Sequence, residues 1–504
     1  MIKILKYLRG AKWTVVLIVA LLIVQASCDL ALPQYTSGIV DVGIQQGGIE
    51  YAAPERLRGS SMQTLRVLMT TAERETVDAA YTLEADGNYV RNTSDTAAIE
   101  ALDAAFSLPM AIVYTAQSSD MLSQGTAALA QGAQPEAGGG TSMDAAAAMG
   151  AALLSGETPT DEQVLALREG ALSIVEGVND SMVKQTAIQY IREEYEALGM
   201  DLGGIQTRYL LLTGAKMLGV TVVMVAAAIL VSLLAARTAA QLGLNLRGQV
   251  FERVVSFSSG DMDKFSTASL ITRSTNDIQQ VQQVTVMLLR MVIYAPILGI
   301  GGVIKVVGTS TGMGWIIFVA LAAVSVLVIV LMRLAMPKFR AMQSLVDRIN
   351  LIAREILTGL SVIRAFGRGE HEEERFDGAN TDLMKTQLFT NRVMTLMMPI
   401  MMLIMNVVTL MIVWFGAQGI DMGTLQVGNM MAFITYTMQI VMSFLMLTMV
   451  SVMLPRATVA AGRIDEVLNT EPTIRDGGDV QANARADWHG IVAFEDVSFR
   501  YPDA

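Results

Sequence analysis

Few side chains in this 504-residue chain could do chemistry. Two histidines and one cysteine, Cys28, leave little material for a transition-metal site. A single cysteine also excludes a disulfide framework within the chain. No G-x-x-x-x-G-K-[ST] run occurs, so no loop here offers the backbone N–H cradle and lysine that hold nucleotide phosphates. The glycines between Gly299 and Gly302 sit in an apolar stretch with no Lys-Ser/Thr after them. The remaining candidates are of another kind. Asp29 is an ionisable group near the end of an apolar run, a functional candidate if it lies at membrane depth and a solvated acid if it lies at the interface. Asn406 is the polar residue best suited to face a cavity, or else to bond a neighbouring helix. Methionines, 34 in all, crowd the last two apolar windows. Flexible, polarizable thioethers suit a promiscuous apolar surface or plain packing filler. Met402, Met405, Met438 and Met442, with Asn406, are the candidate lining of a substrate path.

The elements that must position these residues are membrane helices. Hydrophobic residues make up 52% of the chain and charged residues 16%, against about 25% charged in a soluble protein. The mean hydropathy is +0.45. Windows of the length that crosses about 30 Å of hydrocarbon recur. Six spans are predicted: Trp13 to Leu32, Tyr209 to Ala236, Leu288 to Val307, Gly314 to Ala335, Val393 to Ala417 and Met430 to Leu454. The fold class expected is an all-α membrane protein. The first window also has the basic start of a secretory signal. Gln25 and the apolar run beyond Cys28 weigh against cleavage there.

The net charge of −11 is segregated. Lys3, Lys6, Arg9 and Lys12 precede the first span, which places the N-terminus on the cytoplasmic side of a plasma membrane. Between Asp41 and Asp201 about two dozen acids face about eight basic residues. So acidic a block excludes nucleic acid as a partner. Residues 38–207 are expected to form a mainly helical extracytoplasmic insertion with a thin, Ala-rich core. Met182, Ala187, Ile188, Ile191, Tyr195 and Leu198 recur there at helical spacing. Residues 135–142 read as a flexible loop, and a helix start is read at Pro159 to Asp161. Glu193, Glu194 and Glu196 read as a solvated face.

The connections between spans are unequal. Gly308 to Gly312 and Gln418 to Gly428 are short. Arg237 to Arg290 and Pro337 to Arg392 each exceed 50 residues, hold few helix breakers and keep helical periodicity. They read as rods projecting from the membrane in pairs, with turns at Ser256 to Ser266 and Gly359 to Gly369. Residues 469–490 form a polar linker with Pro472, Gly477 and Gly478. Residues 491–504 open with a strand-like run, and a lone strand is expected only as a piece of a longer protein.

Four segments now resemble a known family, that of ABC exporters with a six-helix transmembrane domain. Phe265 to Asp277 resembles the stretch after the family's first intracellular turn. Glu355 to Phe376 is the most specific match, with its glutamate, glycine, apolar pair, basic residue, Ala-Phe and downstream Glu-x-x-x-Phe. Ala460 to Pro472 looks like the family's junction into the nucleotide-binding domain, and Phe494 to Pro502 like that domain's first strand. Asp29 to Gly48 also resembles Gram-positive half-transporters, some of which carry an outer insertion.

The resemblance implies a half-transporter, truncated at the start of its ATPase domain, for efflux of lipophilic compounds. It implies coupling helices at Ser258, Gly260, Asp261 and Lys264, and at Leu360, Val362, Ile363, Arg364 and Ala365. Tyr501 would stack on adenine, a contact worth about 1–3 kcal/mol. ATP with Mg²⁺ would bind in the full-length protein, not in this chain, so enzymatic activity is not assigned to the chain itself. The implied partners are a second half-transporter, identical or different, the lipid bilayer and a hydrophobic small molecule. The alternative is a non-transporting sensor or structural protein with an acidic outer domain. A proton-coupled carrier is a weaker third reading, since spans two to six lack mid-depth acids.

Overall fold

A computed structural model describes residues 11–118, 161–162, 164–165, 168, 180–308, 312–474 and 494–498. The elements run in chain order as α1 (Lys12–Gly38), a π-helical turn (Ile39–Gln45), β1 (Arg56–Arg58), α2 (Gly59–Val67), α3 (Thr71–Ala80), β2 (Tyr81–Leu83), β3 (Asn88–Arg91), α4 (Thr96–Ser118) and α5 (Asp180–Ala197). Next come α6 (Leu202–Val255), α7 (Ser259–Asp263) and α8 (Thr267–Gly308), the last interrupted by π-helical turns at Arg273–Asp277 and Leu288–Val292. The remainder is α9 (Gly314–Thr358), α10 (Leu360–Ala365), α11 (Gly369–Thr395), α12 (Met397–Asp421) and α13 (Val427–Asn469).

Five of the six expected spans each lie inside one helix, the span Val393 to Ala417 runs from α11 into α12 across Leu396, and the protein is an all-α membrane protein. A seventh helix, α4, is also long and apolar enough to cross a bilayer. Its apolar side chains have another use: Leu102, Phe106, Met110 and Val113 are buried against α2, α3 and α5 in the insertion. The rods are real. α6 alone has 54 residues, roughly 80 Å of helix, far more than a bilayer core requires. Arg237 to Arg290 is helical except around α7, and Pro337 to Arg392 except around α10.

The chain divides into two compact units. One comprises Val19–Val231 and Met291–Met449. Its first core belongs to the insertion, and it corrects the expectation of a thin one. Leu57, Met62, Leu65, Met69, Val77 and Phe106 are closed to solvent, and Tyr81 meets Phe106 edge-on at 5.6 Å between ring centres. A three-stranded antiparallel sheet, ordered β1-β3-β2, lies beside the helices, with Leu57 opposite Tyr89 and Thr82 opposite Val90. Strands of three or four residues are too short to show a period of two, so the sheet was not legible. Of the α5 stripe, Ala187, Ile188, Ile191 and Tyr195 are buried, Leu198 is half-buried and Met182 is exposed. Glu194 is not on a solvated face. It is 3% exposed, its carboxylate taking both forks of Arg58 (2.7 and 3.0 Å) and the hydroxyl of Ser61 at 2.6 Å.

The second core of this unit joins the spans. Ile316, Ala320 and Val324 of α9 pack with Val408 and Ile412 of α12 and Phe433, Ile440 and Val441 of α13. Small residues let backbones approach. A Cβ on Gly302 would stand 2.8 Å from Ile440, and one on Gly299 2.6 Å from the Ser443 hydroxyl. α9 and α11 lie side by side, tied by Arg375 to Glu355 at 2.6 Å.

The other unit comprises Met1–Ile18, Ser232–Arg290 and Val450–Ala504. Its interior holds Ala235, Ala239, Leu246 and Val250 of α6, Ile278 and Val281 of α8, and Ala461, Ile464 and Val467 of α13. Of the stripe read along α8, Ile271 is exposed and the others are buried. Residues 494–498 form no strand, which needs a partner to bond. The rest of residues 491–504, the loop at 135–142, the helix start near Pro159 and Tyr501 lie outside the described residues.

Glu194→Ala removes a buried acceptor and leaves Arg58 and Ser61 short of partners. It should destabilise the insertion by about 1–3 kcal/mol. Hydrogen exchange of peptides covering β1 and α5 should rise, while exchange in α9 and α12 stays unchanged.

Candidate functional site

The short turn α7 is built around one carboxylate. Ser258 and Asp261 make a capping box: the Ser258 hydroxyl accepts from the Asp261 amide at 3.3 Å, and the Ser258 amide donates to Asp261 Oδ2 at 3.2 Å. Asp261 is fully buried and takes more. The Thr473 amide donates to Oδ2 at 2.9 Å, the Thr473 hydroxyl donates to Oδ1, and Lys264 Nζ donates to Oδ1 at 3.1 Å. The segment leaving α13 is thereby fastened to the turn. Thr473 first, then Ser258 and Lys264, hold the Asp261 carboxyl well below the usual carboxylate range. Gly260 lies on the exposed side of α7 with open space around it.

Beside this turn, Phe265 stacks on Phe257 at 5.9 Å and carries the Arg273 guanidinium over its face at 4.9 Å. Arg273 also pairs with Glu466 at 2.8 Å and donates to the Arg463 carbonyl at 3.1 Å. Thus the segment Phe265 to Asp277 and the junction Ala460 to Pro472, two separate pieces of sequence pattern, meet through Arg273.

The second short turn is different. α10 is framed by Gly359 and by Gly367, whose φ of +65° suits only a residue without a side chain. Its apolar side chains are not buried: Val362 is 58% exposed, Phe366 78%, and Leu360 is exposed as well. Ile363 is half-buried, while Arg364 and Ala365 face solvent. The apolar pair in the sequence pattern therefore has no core to fill among the described residues of this chain.

Within the spans, the candidate path residues are spread over an outer face. Met402, Asn406, Met438 and Met442 are exposed and Met405 is half-buried. Met401 and its neighbours Val408 and Ile412 fill the core. Asp29 is not simply solvated: the Tyr294 hydroxyl donates to its carboxylate. Gln439 Nε2 donates to the Asp29 carbonyl at 3.2 Å, and the Tyr436 hydroxyl to the Leu30 carbonyl at 2.9 Å. Pro33, four residues after Asp29, lacks the N–H that carbonyl would otherwise accept from.

One site residue was missed. Asp41, 4% exposed, takes the Gly428 amide at 2.6 Å and the Ser37 hydroxyl at 3.0 Å, so it caps the start of α13. A Cβ on Gly428 would stand 2.4 Å from Asp41 Oδ2 and 2.5 Å from the Ser37 carbonyl. The partners are 387 residues apart, a pairing that no local pattern signals.

The comparisons with known proteins bear on these turns directly. Residues 197–444, which hold α6 through the first part of α13, match the family model of the ABC transporter transmembrane region. This segment is thus similar to the transmembrane region of ABC transporters. The chain is 38% identical over 291 residues to an uncharacterized ABC transporter ATP-binding protein of Mycobacterium tuberculosis, covering 58% of this chain and 50% of that protein. It is 33% identical over 324 residues to one of Bacillus subtilis, covering 64% and 56%. An ATP-dependent lipid A-core flippase of Pseudomonas fluorescens is 26% identical over 266 residues, covering 51% and 42%. The chain spans about half the length of the curated relatives it matches. In the ABC transmembrane region the motif from Glu355 to Phe376 thus gains physical content: Glu355 braces α11 through Arg375, Gly367 makes the bend, and Val362 and Phe366 stay outward.

Gly428→Ala forces its Cβ against Asp41 and should cost about 1–3 kcal/mol, seen as a lower Tm of the purified protein. Asp261→Ala should free the segment at 469–474, raising its hydrogen exchange at least tenfold. The pH sign follows from the depressed carboxyl. Its contribution is complete above the ordinary carboxylate pKa near 4 and fades only as pH falls through the lower folded value. Exchange at 469–474 in the unmutated protein should therefore stay slow from pH 8 down to about 5.

Proposed function

We propose that this chain is the transmembrane half of an ATP-driven exporter for lipophilic or amphipathic compounds. It pairs with a second half-transporter, identical or different, and works with a nucleotide-binding domain that holds ATP and Mg²⁺. The observation that carries this reading is α10: exposed Leu360, Val362 and Phe366 on a short helix at the bend between two long rods. A turn that stays apolar and outward needs a groove on another domain to cover it.

The mechanism follows from rigidity. Helices α9 and α11 run side by side over several turns, so a push on α10 moves both together. Nucleotide shifts the equilibrium between two arrangements only through its differential affinity for them. α10 is the part through which that difference reaches the spans. Asn406 and the exposed methionines Met402, Met438 and Met442 offer the moving helices an adaptable apolar lining for varied substrates. The segment fixed to Asp261 by Thr473 carries motion from an attached ATPase domain into α7.

Val362→Asp in the full-length gene product tests this. Membrane insertion and basal ATP hydrolysis should persist, while ATP-dependent export of a lipophilic dye from proteoliposomes should fall at least fivefold. Undiminished export by that variant would remove α10 from the coupling path.

A further inference from the structure

The insertion meets the spans at a crevice whose lining is unusual in kind. Gln45 and Gln46 end the π-helical turn, Gln185 and Gln189 stand one turn apart on α5, and Gln426 immediately precedes α13. These five carboxamides surround a cavity of about 240 Å³ whose remaining lining is Ile420, Leu425 and Val427. Among the described residues no charged side chain lines it. Gln46 is 5% exposed, and its Oε1 accepts no hydrogen bond from the described residues. The frame around the crevice is fixed. Asp41 pins the start of α13, and Met182 of α5 lies against Gly423 in the turn before it.

We infer that this crevice is a binding site for a neutral sugar, either free or as the headgroup of a glycolipid. Each carboxamide presents two donors and two acceptor lone pairs, which matches hydroxyls that donate and accept at once. A charged ligand would lose its hydration and find no countercharge. The apolar residues fit the C–H face of a pyranose ring. The volume falls just below the roughly 300–1,000 Å³ of pockets for drug-sized ligands, which leaves room for a single ring. The inference is independent of the exporter reading, because binding is measured without nucleotide.

The experiment is saturation-transfer NMR on the chain in phosphatidylcholine nanodiscs, with methyl hexosides as probes and tri-alanine and a hexose phosphate as controls. Saturation of the methyl hexosides is expected, with little on either control. Gln189→Ala and Gln426→Ala, both partly exposed and remote from the cores, should each reduce the signal at least fivefold without changing Tm. Gln46→Leu should abolish it, and the two partly exposed variants decide the matter if that variant fails to fold. Incorporating a monohexosyl diacylglycerol identifies the source: displacement of the soluble probe marks the headgroup, and no displacement marks the free sugar. Absence of saturation with every hexoside and no glycolipid retention would overturn the site. So would a signal unchanged in both partly exposed variants, or equal binding of tri-alanine or hexose phosphate.

Discussion

A backbone polar group freed inside a bilayer has no water to turn to, and the packing of this chain answers that constraint at its first and last spans. Pro33 deprives the Asp29 carbonyl of its helical donor, and Gln439 supplies one from α13. Tyr436, three residues earlier on α13 and so on the same face, serves the next carbonyl, Leu30. One further stretch along, the opening amides of α13 have no helical acceptor, and Asp41 at the far end of the first span takes one of them. Each helix thus repairs the other's exposed backbone. Gly428 permits the close approach this exchange requires. The α1–α13 pairing is therefore specified by polar groups, while the apolar surfaces around it would tolerate other registers.

This division also explains what could be read in advance. Spans and rods are set by local composition and by a 3.6-residue period, so α6, α9 and α13 were visible as stretches of sequence. The bends at α7 and α10 announce themselves through Ser258, Gly359 and Gly367, whose local demands are strong. Asp41 carries no such mark. In sequence it is an acid just past an apolar run, and its meaning lies in an amide hundreds of residues away. Glu194 was legible and was misread: it falls three residues after Ile191 and seven after Ala187, on the buried face of α5, while Glu193 and Glu196 are turned outward. Neighbouring like charges hid the phase of the helix. The sheet was beyond reach because β1 and β2 span three residues each and draw their order from pairing with β3.

The two short turns solve opposite problems. α7 is closed on itself: its carboxylate is saturated by Ser258, Thr473 and Lys264, and its aromatic neighbours Phe257 and Phe265 cover one another. α10 is open, with Val362 and Phe366 uncovered. Under the exporter reading the pair are unequal handles, one built into the chain's own exit segment and one offered to a partner.

The exposed face of α12 carries the reasoning one step further. Met402, Leu403, Val407, Leu410 and Trp414 give it the surface expected against lipid tails. Asn406 sits in the middle of that face, also exposed. A carboxamide pressed into hydrocarbon would lose its hydrogen bonds at a cost of several kcal/mol. Under the exporter reading, water in a cavity or a polar group on a second half-transporter is the neighbour of this face at the level of Asn406. The methionines on either side keep such a face adaptable, since a thioether repacks around successive neighbours at little cost. Under that reading, a helix that borders lipid in one arrangement and a shared cavity in another would be built from these residues, with the Asn406 amide at the cavity.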